Sequence, residues 1–324
     1  MTQSVKPAKP VIVSLIPEKL MRPKLLEGLR AIGELHFETD PRAGFCDERS
    51  REASILIGAH YMQVHKSLLD CFPKLEMTAD YGVGFDGYEL SEFARRGIAL
   101  SNTPDVLSRD VADFGFALLL TLTRRTAEAD AFVRAGRWPN EDFGLGRRIF
   151  GKRIGIAGLG RIGSVLAQRA AAFEMEVGYT ARHEKPVPYK RFADMKSLAQ
   201  WADFLVVVIP GSPETRHLVN AEVLDALGPQ GMLINIARGA LVDTEALIRA
   251  LQEGRIAGAA LDVFEHEPHV EEALLGMKNV VLAPHIASGT FETRDDMADL
   301  VLENVRAFLA GKPLLTRVPG STLE

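Results

Sequence analysis

Three polar residues in the second half of the chain each follow a short apolar run, and their side chains can bind anions and move protons. Arg238 follows LINIA, Glu267 lies in the loop after GAALD, and His285 follows VVLAP. A guanidinium binds a carboxylate or carbonyl oxygen through paired hydrogen bonds, and an imidazole can protonate a developing alkoxide. A nearby carboxylate stabilises the charged imidazole. These residue types together predict hydride transfer to a 2-oxo acid.

The apolar runs that precede these residues are typical of buried parallel strands. Such runs alternate with helical patterns along the whole chain, which predicts an α/β fold with helices on both faces of the sheet. Ligands in these folds bind beyond the carboxyl ends of the strands, where Arg238, Asp262, Glu267 and His285 stand. Singly, each residue is more often a surface or structural residue. Their joint occurrence in one predicted domain favours a catalytic set.

A glycine motif precedes this set and predicts a dinucleotide site. Gly158-x-Gly160-x-x-Gly163 lies between the apolar run 154–157 and the helical pattern 162–173, and a second apolar run follows at 177–179. In this context the first glycine permits a tight turn, the second admits the pyrophosphate, and the third allows the helix to pack closely. The phosphates then bind at the helix N-terminus.

The end of the second run indicates which dinucleotide binds. An NAD site usually has an acidic residue there, but this chain has Thr180, Ala181 and Arg182, with no acid before Glu184. Arg182 can pair with a 2′-phosphate, which a carboxylate would repel. The alternative is that Arg182 is a solvated loop residue. We expect NADPH to be preferred, with NADH possible.

The first hundred residues read as a small α/β domain of their own. Within them, residues 82–87, GVGFDG, follow an apolar run and form either a simple turn or an anion-binding loop. A helical region from Ser108 to Arg134 comes next. The Trp138 segment after it reads as a surface excursion, and Trp138 is either an interface anchor or a core residue.

Composition limits the classes of protein to which the chain can belong. Its 324 residues suffice for two domains, and the net charge of −5 argues against nucleic-acid and anionic-membrane partners. The most apolar helical pattern, 114–122, is too short to span a bilayer. Two isolated cysteines, Cys46 and Cys71, suit a reducing cytoplasm, and no metal-ligand spacing occurs. We therefore expect a cytoplasmic protein without a metal.

The runs GLGRIG, INIARGALVD, GAALDVFEHEP and LAPHIASGT resemble the signature of the D-isomer-specific 2-hydroxyacid dehydrogenase family. This resemblance covers nearly the whole chain. It implies that Arg238 binds and polarises the substrate, that Glu267 pairs with the acid–base His285, and that Asp262 lies by the nicotinamide. It also implies that the backbone amides of Val83 and Gly84 hold the substrate carboxylate.

The resemblance further implies two doubly wound parallel-sheet domains, Rossmann-like or flavodoxin-like, with an active-site cleft between them, and usually a homodimer. We expect residues 1–102 and 289–324 to form a discontinuous substrate-binding domain and residues 103–288 the dinucleotide-binding domain. We expect the cofactor to be bound by Gly158, Gly160, Arg161, Ile162, Gly163, Thr180, Arg182, Ile209, Pro210, Thr215, Ile236, Ala237, Arg238, Asp262, His285 and Ser288. The expected substrate-binding residues are Val83, Gly84, Arg238, His285 and Tyr61.

Within the family, the YTAR run and Gly136-Arg137-Trp138 look most like the NADPH-preferring glyoxylate, hydroxypyruvate and hydroxyphenylpyruvate reductases. The family's usual Gly-Gly after the histidine's isoleucine is replaced by Ala287-Ser288. We therefore predict reduction of glyoxylate or hydroxypyruvate to a D-2-hydroxy acid. Two alternatives remain: reduction of bulkier 2-oxo acids such as hydroxyphenylpyruvate or 2-ketogluconate, and a cofactor-sensing corepressor with little turnover. Loss of NADPH absorbance on adding 2-oxo acids would separate an enzyme from a sensor.

Overall fold

The computed structural model describes residues 9–38, 47–59 and 62–321. Its strands are β1 (Val11–Ser14), β2 (Glu34–Phe37), β3 (Ile55–Gly58), β4 (Met77–Asp80), β5 (Ala99–Ser101), β6 (Arg153–Ala157), β7 (Glu176–Thr180), β8 (Lys190–Arg191), β9 (Phe204–Val207), β10 (Met232–Asn235), β11 (Gly258–Leu261) and β12 (Val280–Leu282). Its α-helices are α1 (Pro23–Ile32), α2 (Lys66–Leu69), α3 (Leu90–Arg96), α4 (Ser108–Arg124), α5 (Thr126–Arg134), α6 (Arg161–Ala172), α7 (Met195–Trp201), α8 (Ala221–Leu227), α9 (Thr244–Gln252), α10 (Glu272–Leu275) and α11 (Phe291–Leu309). The chain divides into two compact units, residues 1–107 with 290–324, and residues 108–289.

The first unit contains a parallel sheet with the strand order β2-β1-β3-β4-β5. The order reverses between β1 and β3, as in flavodoxin-like folds. β1, β3 and β4 are almost wholly buried, which explains why they read as continuous apolar runs in the sequence. Helix α1 packs closely on α11, because a Cβ added at Gly28 would lie 2.4 Å from Leu302 Cδ1. The return of the chain in α11 therefore completes the core of this unit.

The second unit contains a larger parallel sheet with the order β12-β11-β10-β9-β6-β7-β8. Successive strands move outward from β6 in one direction through β7 and β8, and in the other through β9 to β12. Doubly wound sheets bind their ligands where the strand order reverses, which here is the carboxyl end of β6 beside β9. The glycine motif begins at that point, directly after β6.

Local capping determines where several helices of the second unit start. Asn220 Oδ1 accepts a hydrogen bond from Val223 N at 3.2 Å before α8, and Asp243 Oδ1 accepts one from Ala246 N at 3.0 Å before α9. Asp194 accepts a bond from Ser197 N at 2.7 Å before α7. Side-chain oxygens here satisfy N–H groups that the first helical turn leaves without partners.

Two features of the second unit differ from what the sequence pattern predicts. The helical region from Ser108 to Arg134 is interrupted at Arg125, whose φ of 56° ends α4 and starts α5. The guanidinium of Arg125 binds Glu128 at 2.6 Å, which holds this break in place. The short elements β8 and α7 were not anticipated. They become regular only through tertiary contacts such as the Phe192–Trp201 ring pair, whose centroids lie 5.1 Å apart.

Candidate functional site: a dinucleotide fingerprint and a carboxylate–histidine pair

The first glycine of the motif makes a turn that other residues rarely adopt. Gly158 has a φ of 103°, and a Cβ there would lie 2.7 Å from Ile209 Cγ2. Its N–H donates to Thr180 O at 2.9 Å, which joins the end of β6 to the end of β7. Glycine is required here both for the left-handed backbone and for the close approach of the β9 loop.

The other two glycines leave space for a ligand and bring the helix close to the turn. A Cβ at Gly163 would lie 2.0 Å from Gly158 O, so only glycine permits this contact. A Cβ at Gly160, in contrast, would meet no described atom within 4 Å. Ser164 N donates to Gly160 O at 2.9 Å and begins the hydrogen bonds of α6. The residues present therefore fit a pyrophosphate bound at the helix N-terminus.

The carboxyl end of β7 carries the two residues expected to select the dinucleotide. Thr180 is half-buried at the strand end, and Arg182 is exposed in the turn that follows. Lys185 N donates to the hydroxyl of the buried Tyr179 at 3.1 Å, which folds this turn back on the strand. Among the residues that the structure describes, none makes a hydrogen bond or ion pair with Arg182. Its guanidinium is available for an anionic ligand.

The remaining cofactor candidates lie at strand ends of the same unit. Thr215 Oγ1 donates to Pro210 O at 3.1 Å and so closes the loop after β9, beyond the half-buried Ile209. After β10, Ile236 is buried and Ala237 is half-buried. Ser288 is half-buried three residues beyond His285. The four strands that precede these residues and the glycine motif, β6, β9, β10 and β12, belong to one sheet.

The loop after β10 is built to present Arg238. Asn235, which is 1% exposed, donates from Nδ2 to Arg238 O at 2.9 Å and accepts Ala237 N at 3.1 Å. Arg238 Nη1 donates to Ala237 O at 2.8 Å. A Cβ at Gly239 would lie 1.9 Å from the carbonyl carbon of Phe264. The glycine thus lets the Arg238 loop pack directly against the loop that carries Glu267.

His285 and Glu267 form a hydrogen-bonded pair, although 18 positions separate them in the sequence. Glu267 Oε2 lies 2.7 Å from His285 Nδ1, and Glu267 Oε1 accepts Phe264 N at 3.0 Å. Burial raises the pKa of Glu267, but the hydrogen bond and the charge of His285, the Phe264 N–H and Arg238 outweigh it and hold that pKa below its ordinary value. The carboxylate is therefore ionised at neutral pH and can stabilise a protonated imidazole.

Asp262 holds the backbone around the histidine. Its carboxylate accepts Ile286 N at 2.8 Å and Ala287 N at 2.9 Å, while its carbonyl oxygen accepts His285 N at 2.8 Å. The Asp262 residue is fully buried, and burial raises the pKa of its carboxyl group, although the two N–H groups oppose this. His285 itself has a φ of 54°, which is unusual for a residue other than glycine. Asp262 thus stabilises a turn that the histidine would otherwise rarely adopt.

A second carboxylate–histidine contact joins three loops of this unit. Glu265 Oε1 lies 2.8 Å from His217 Nε2 and 2.7 Å from Arg216 Nη2, and Glu265 Oε2 accepts Thr244 Oγ1 at 3.1 Å. Arg216 and His217 follow β9, Thr244 follows β10, and Glu265 follows β11. No local sequence pattern selects His217 or Glu265 as a site residue. Only the parallel positions of the strand ends could have suggested this contact.

The loop after β4, in the other unit, contains Val83 and Gly84. Gly82 O accepts Thr103 N at 2.7 Å, and Val83 O accepts Asn102 Nδ2 at 2.8 Å. Neither the Val83 N–H nor the Gly84 N–H donates to any acceptor in the part of the chain that the structure describes. Two neighbouring amides are therefore available for an anion. Tyr61, the other expected substrate residue, lies outside the described residues.

No helix within residues 9–38, 47–59 and 62–321 is long and apolar enough to cross a bilayer. The same ranges hold no group of three or more His, Cys, Asp or Glu side chains that could coordinate a metal ion.

Comparison with known families identifies the domain that contains the glycine motif. The profile of the D-isomer specific 2-hydroxyacid dehydrogenase NAD-binding domain matches residues 116–287, more than half of the chain. The chain belongs to the D-isomer specific 2-hydroxyacid dehydrogenase family. Membership confirms the resemblance found in the sequence and makes the protein an oxidoreductase. It also confirms that the glycine motif belongs to an NAD(P)-binding domain.

Individual 2-hydroxyacid dehydrogenases are similar over most of their length. The chain is 47% identical over 286 residues to a glyoxylate/hydroxypyruvate reductase of Arabidopsis thaliana, with 88% of this chain and 91% of that protein covered. It is 51% identical over 252 residues to a hydroxyphenylpyruvate reductase of Plectranthus scutellarioides, with 78% and 80% covered.

A solved structure of the family gives the same fold. The NADPH-dependent glyoxylate/hydroxypyruvate reductase of Sinorhizobium meliloti, in complex with NADP and malonate, matches with a TM-score of 0.93 and 39% identity, covering 98% of this chain and 99% of that one. The predicted α/β class with two doubly wound parallel sheets is thereby confirmed.

Proposed function

We propose that the protein reduces small 2-oxo acids of the glyoxylate and hydroxypyruvate class to D-2-hydroxy acids with NADPH. The observation that carries this proposal is the 2.7 Å contact between His285 Nδ1 and Glu267 Oε2. Both residues and the glycine motif lie in loops that follow strands of the same sheet. A histidine held by an ionised carboxylate is suited to donate a proton to a carbonyl oxygen as that oxygen gains negative charge. The similarity to glyoxylate/hydroxypyruvate reductases supports the substrate class.

Each residue of the pair and its neighbours has a defined part in this proposal. When bound, NADPH supplies the hydride that becomes the hydrogen on C2 of the product. His285 donates the proton from Nε2 to the carbonyl oxygen, and Glu267 stabilises the charged ring through Nδ1. Arg238 binds and polarises the substrate through its guanidinium, whose planar shape matches carboxylate and carbonyl oxygens. The amides of Val83 and Gly84 hold the substrate carboxylate.

NADPH is proposed as the preferred cofactor, with NADH as a poorer one. The fit rests on the open space above Gly160 and on the exposed Arg182, which pairs with none of the described residues and lies beside Thr180 at the end of β7. Thr180 can donate a hydrogen bond to a 2′-phosphate, and Arg182 can form a charge-assisted pair with it. Arg161, Ile162 and Gly163 would hold the pyrophosphate at the start of α6, and Asp262 would lie by the nicotinamide.

A bulkier 2-oxo acid is the second candidate substrate. The 51% identity with a hydroxyphenylpyruvate reductase favours it, since the substrate for which that relative is named carries an aromatic ring. Initial rates with glyoxylate, hydroxypyruvate, hydroxyphenylpyruvate and 2-ketogluconate, each with NADPH and with NADH, test both candidates. One dominant small acid with NADPH supports the proposal, and a dominant bulky acid replaces it. If both cofactors bind but none is oxidised, the enzyme works on another substrate or acts as a sensor, and the proposal fails.

We also propose that two copies of the chain form a homodimer through the segment around Trp138. This tryptophan is 71% exposed, Leu145 is 93% exposed and Phe150 is 54% exposed. Exposed apolar side chains so close in sequence are typical of a surface that another protein covers. Light scattering should give twice the chain mass for the wild type, and Leu145→Glu should reduce it. A wild-type monomer at micromolar concentration would overturn the proposal.

We further propose which part of the chain binds which ligand, and where in the cell the protein is located. We assign substrate binding to residues 1–102 with 289–324, and dinucleotide binding to residues 103–288. The isolated residues Cys46 and Cys71 support a reducing cytoplasm. Fractionation of cells followed by immunoblotting tests the location.

A further inference from the structure

The loop after β4 contains two consecutive peptide planes whose orientation decides where two amides point. Each peptide is planar and trans, so its carbonyl oxygen and its N–H group point in opposite directions. The first plane joins Gly82 O to Val83 N, and the second joins Val83 O to Gly84 N. Fixing the direction of each carbonyl therefore fixes the direction of the N–H group that follows it.

Both carbonyls are bound by the short segment that follows β5. Thr103 N donates to Gly82 O at 2.7 Å, and Asn102 Nδ2 donates to Val83 O at 2.8 Å. The N–H groups of Val83 and Gly84 consequently point away from residues 102 and 103. The first plane is held by a backbone group that most substitutions would keep. The second plane depends on one side chain, that of Asn102.

Asn102 is itself held by a buried polar network. Thr316 Oγ1 donates to Asn102 O at 2.7 Å, and Asn102 N donates to Thr316 O at 3.2 Å. Asn304 of α11, which is fully buried, donates from Nδ2 to Thr316 Oγ1 at 2.9 Å and accepts Thr316 N at 3.2 Å. Hydrogen bonds thus run without a gap from the interior of the unit to the Val83 carbonyl.

We propose that Asn102 is a positioning residue for the substrate: by holding Val83 O it aims the Gly84 N–H at the carboxylate of the 2-oxo acid, and Thr316 and Asn304 hold Asn102 in turn. The inference rests on the proposed function, because it takes the anion at this loop to be the substrate carboxylate. The carboxylate persists through the reaction, so an amide bound to it contributes equally before and during hydride transfer. Losing that contact should raise KM and leave kcat nearly unchanged.

Steady-state kinetics of Asn102→Ala and Asn102→Asp test the inference. Loss of a hydrogen bond that orients a charged ligand should raise KM for glyoxylate by roughly tenfold, with kcat changed by less than about twofold. The Asp variant should raise KM further, since its carboxylate would face the Val83 carbonyl and repel the substrate. The Kd of NADPH should not change. Asn279→Ala is the matched control, because its side chain bonds to no other described residue.

A second pair of variants tests the network if the Asn102 variants do not fold. Thr316→Val removes the hydroxyl at nearly constant volume, while Thr316→Ser keeps it. KM should rise in the Val variant and be restored in the Ser variant. An unchanged KM in the folded Asn102 and Thr316→Val variants, or a parallel rise in the Kd of NADPH, would overturn the inference.

Binding of oxamate, an unreactive analogue of a 2-oxo acid, separates this inference from the proposed function. Calorimetry on the NADPH-saturated protein should show weaker oxamate binding to Asn102→Ala than to wild type. Equal binding to both proteins would reject the role of Asn102 alone. A wild-type protein that neither binds oxamate nor oxidises NADPH with any of the acids would reject the proposed function.

Discussion

The carbonyl oxygen of Asp262 accepts the N–H of His285 at 2.8 Å, and the carboxylate of the same residue accepts the next two N–H groups. One buried residue thus holds three consecutive backbone amides at the carboxyl end of β12, one through its carbonyl oxygen and two through its carboxylate. The histidine has a φ of 54°, which few residues other than glycine adopt without such support. The direction of the imidazole toward Glu267 depends on this turn.

Replacing Asp262 with Asn should therefore lower both stability and turnover. An amide has one acceptor oxygen, so either Ile286 N or Ala287 N loses its partner and faces an NH₂ group. We expect the free energy of unfolding to fall by about 1–3 kcal/mol and kcat to fall with it. Urea unfolding and initial rates measure the two effects. Asp194→Asn is the control, since Asp194 caps an exposed helix end where Asn serves equally well. An unchanged kcat would mean that the turn does not orient His285.

His285→Ala should nearly abolish turnover while the affinity for NADPH changes little. Loss of a positioned proton donor lowers kcat by about 10²–10⁴-fold. The control is His266→Ala, because His266 is an exposed histidine close in sequence to Glu267 whose Nδ1 binds Glu271 at 3.3 Å. Stopped-flow rates and fluorescence titration of NADPH give the two quantities. A large loss of NADPH binding would instead assign His285 a structural role.

Glu267→Gln should move the pH dependence of reduction to lower pH. Reduction needs protonated His285, so the rate falls as pH rises and that proton is lost. The pKa of Glu267 lies below its ordinary value, so in the wild type its negative charge favours the protonated ring throughout the neutral range. Without this charge the fall should occur at lower pH. Values of kcat/KM measured from pH 5 to 9 for wild type and Glu267→Gln test this, with Glu222→Gln, at an exposed position, as control. Coincident profiles would contradict it.

Arg182→Ala should weaken NADPH binding far more than NADH binding. A lost charge-assisted contact to a 2′-phosphate costs about 1.5–3 kcal/mol, which corresponds to roughly 10–100-fold in Kd. NADH lacks that phosphate and should be bound almost unchanged. Arg182→Lys keeps the charge without the planar fork and should give an intermediate loss. Equal losses for both cofactors would remove the 2′-phosphate assignment.

Glu265→Gln should destabilise the protein most clearly at neutral pH. Burial raises the pKa of Glu265, but hydrogen bonds from His217, Thr244 and Arg216 and the charge of His217 hold it below the ordinary 4.5. A carboxylate with a lowered folded-state pKa contributes stability above its unfolded-state value, and this is lost as pH falls through the folded-state value. We expect a loss of about 1–3 kcal/mol at pH 7 in the variant.

The stability difference between wild type and Glu265→Gln should depend on pH. The gap in free energy of unfolding between wild type and Glu265→Gln should shrink as pH falls below 4.5. Urea unfolding at pH 7, 5 and 4 measures it, and Glu222→Gln, exposed on α8, should show little change at any pH. A gap that stays constant with pH would mean that the charge of Glu265 contributes nothing.

Much of the fold and of the cofactor site follows from short stretches of sequence. The buried strands read as apolar runs, and the three glycines with their flanking elements predict the turn that the structure contains at Gly158. Residues on one short segment have a fixed spacing, so local pattern suffices. Arg238, Asp262 and His285 could be selected because each directly follows an apolar run.

The contacts between distant segments could not be read in this way. The interruption at Arg125 depends on a side-chain pair with Glu128 and on packing against Phe143, whose ring centroid lies 4.5 Å from the guanidinium carbon. The joining of Glu265 to His217 and Thr244 needs the register of three strands. Asn102 gave no signal of its own, because its role depends on Val83 and Thr316, which lie far from it in the chain.

The sequence by itself determined the α/β class, the dinucleotide fingerprint and the types of group available for catalysis, since these depend on periodicity and on neighbouring residues. Only the tertiary structure decided that Glu265 joins His217 to Thr244, that the Asp262 carboxylate accepts two backbone amides, and that Asn102 binds the Val83 carbonyl. Hydrogen bonds depend on distances of a few tenths of an ångström between groups far apart in the chain. Those distances exist only once the strands are in register and the loops are packed.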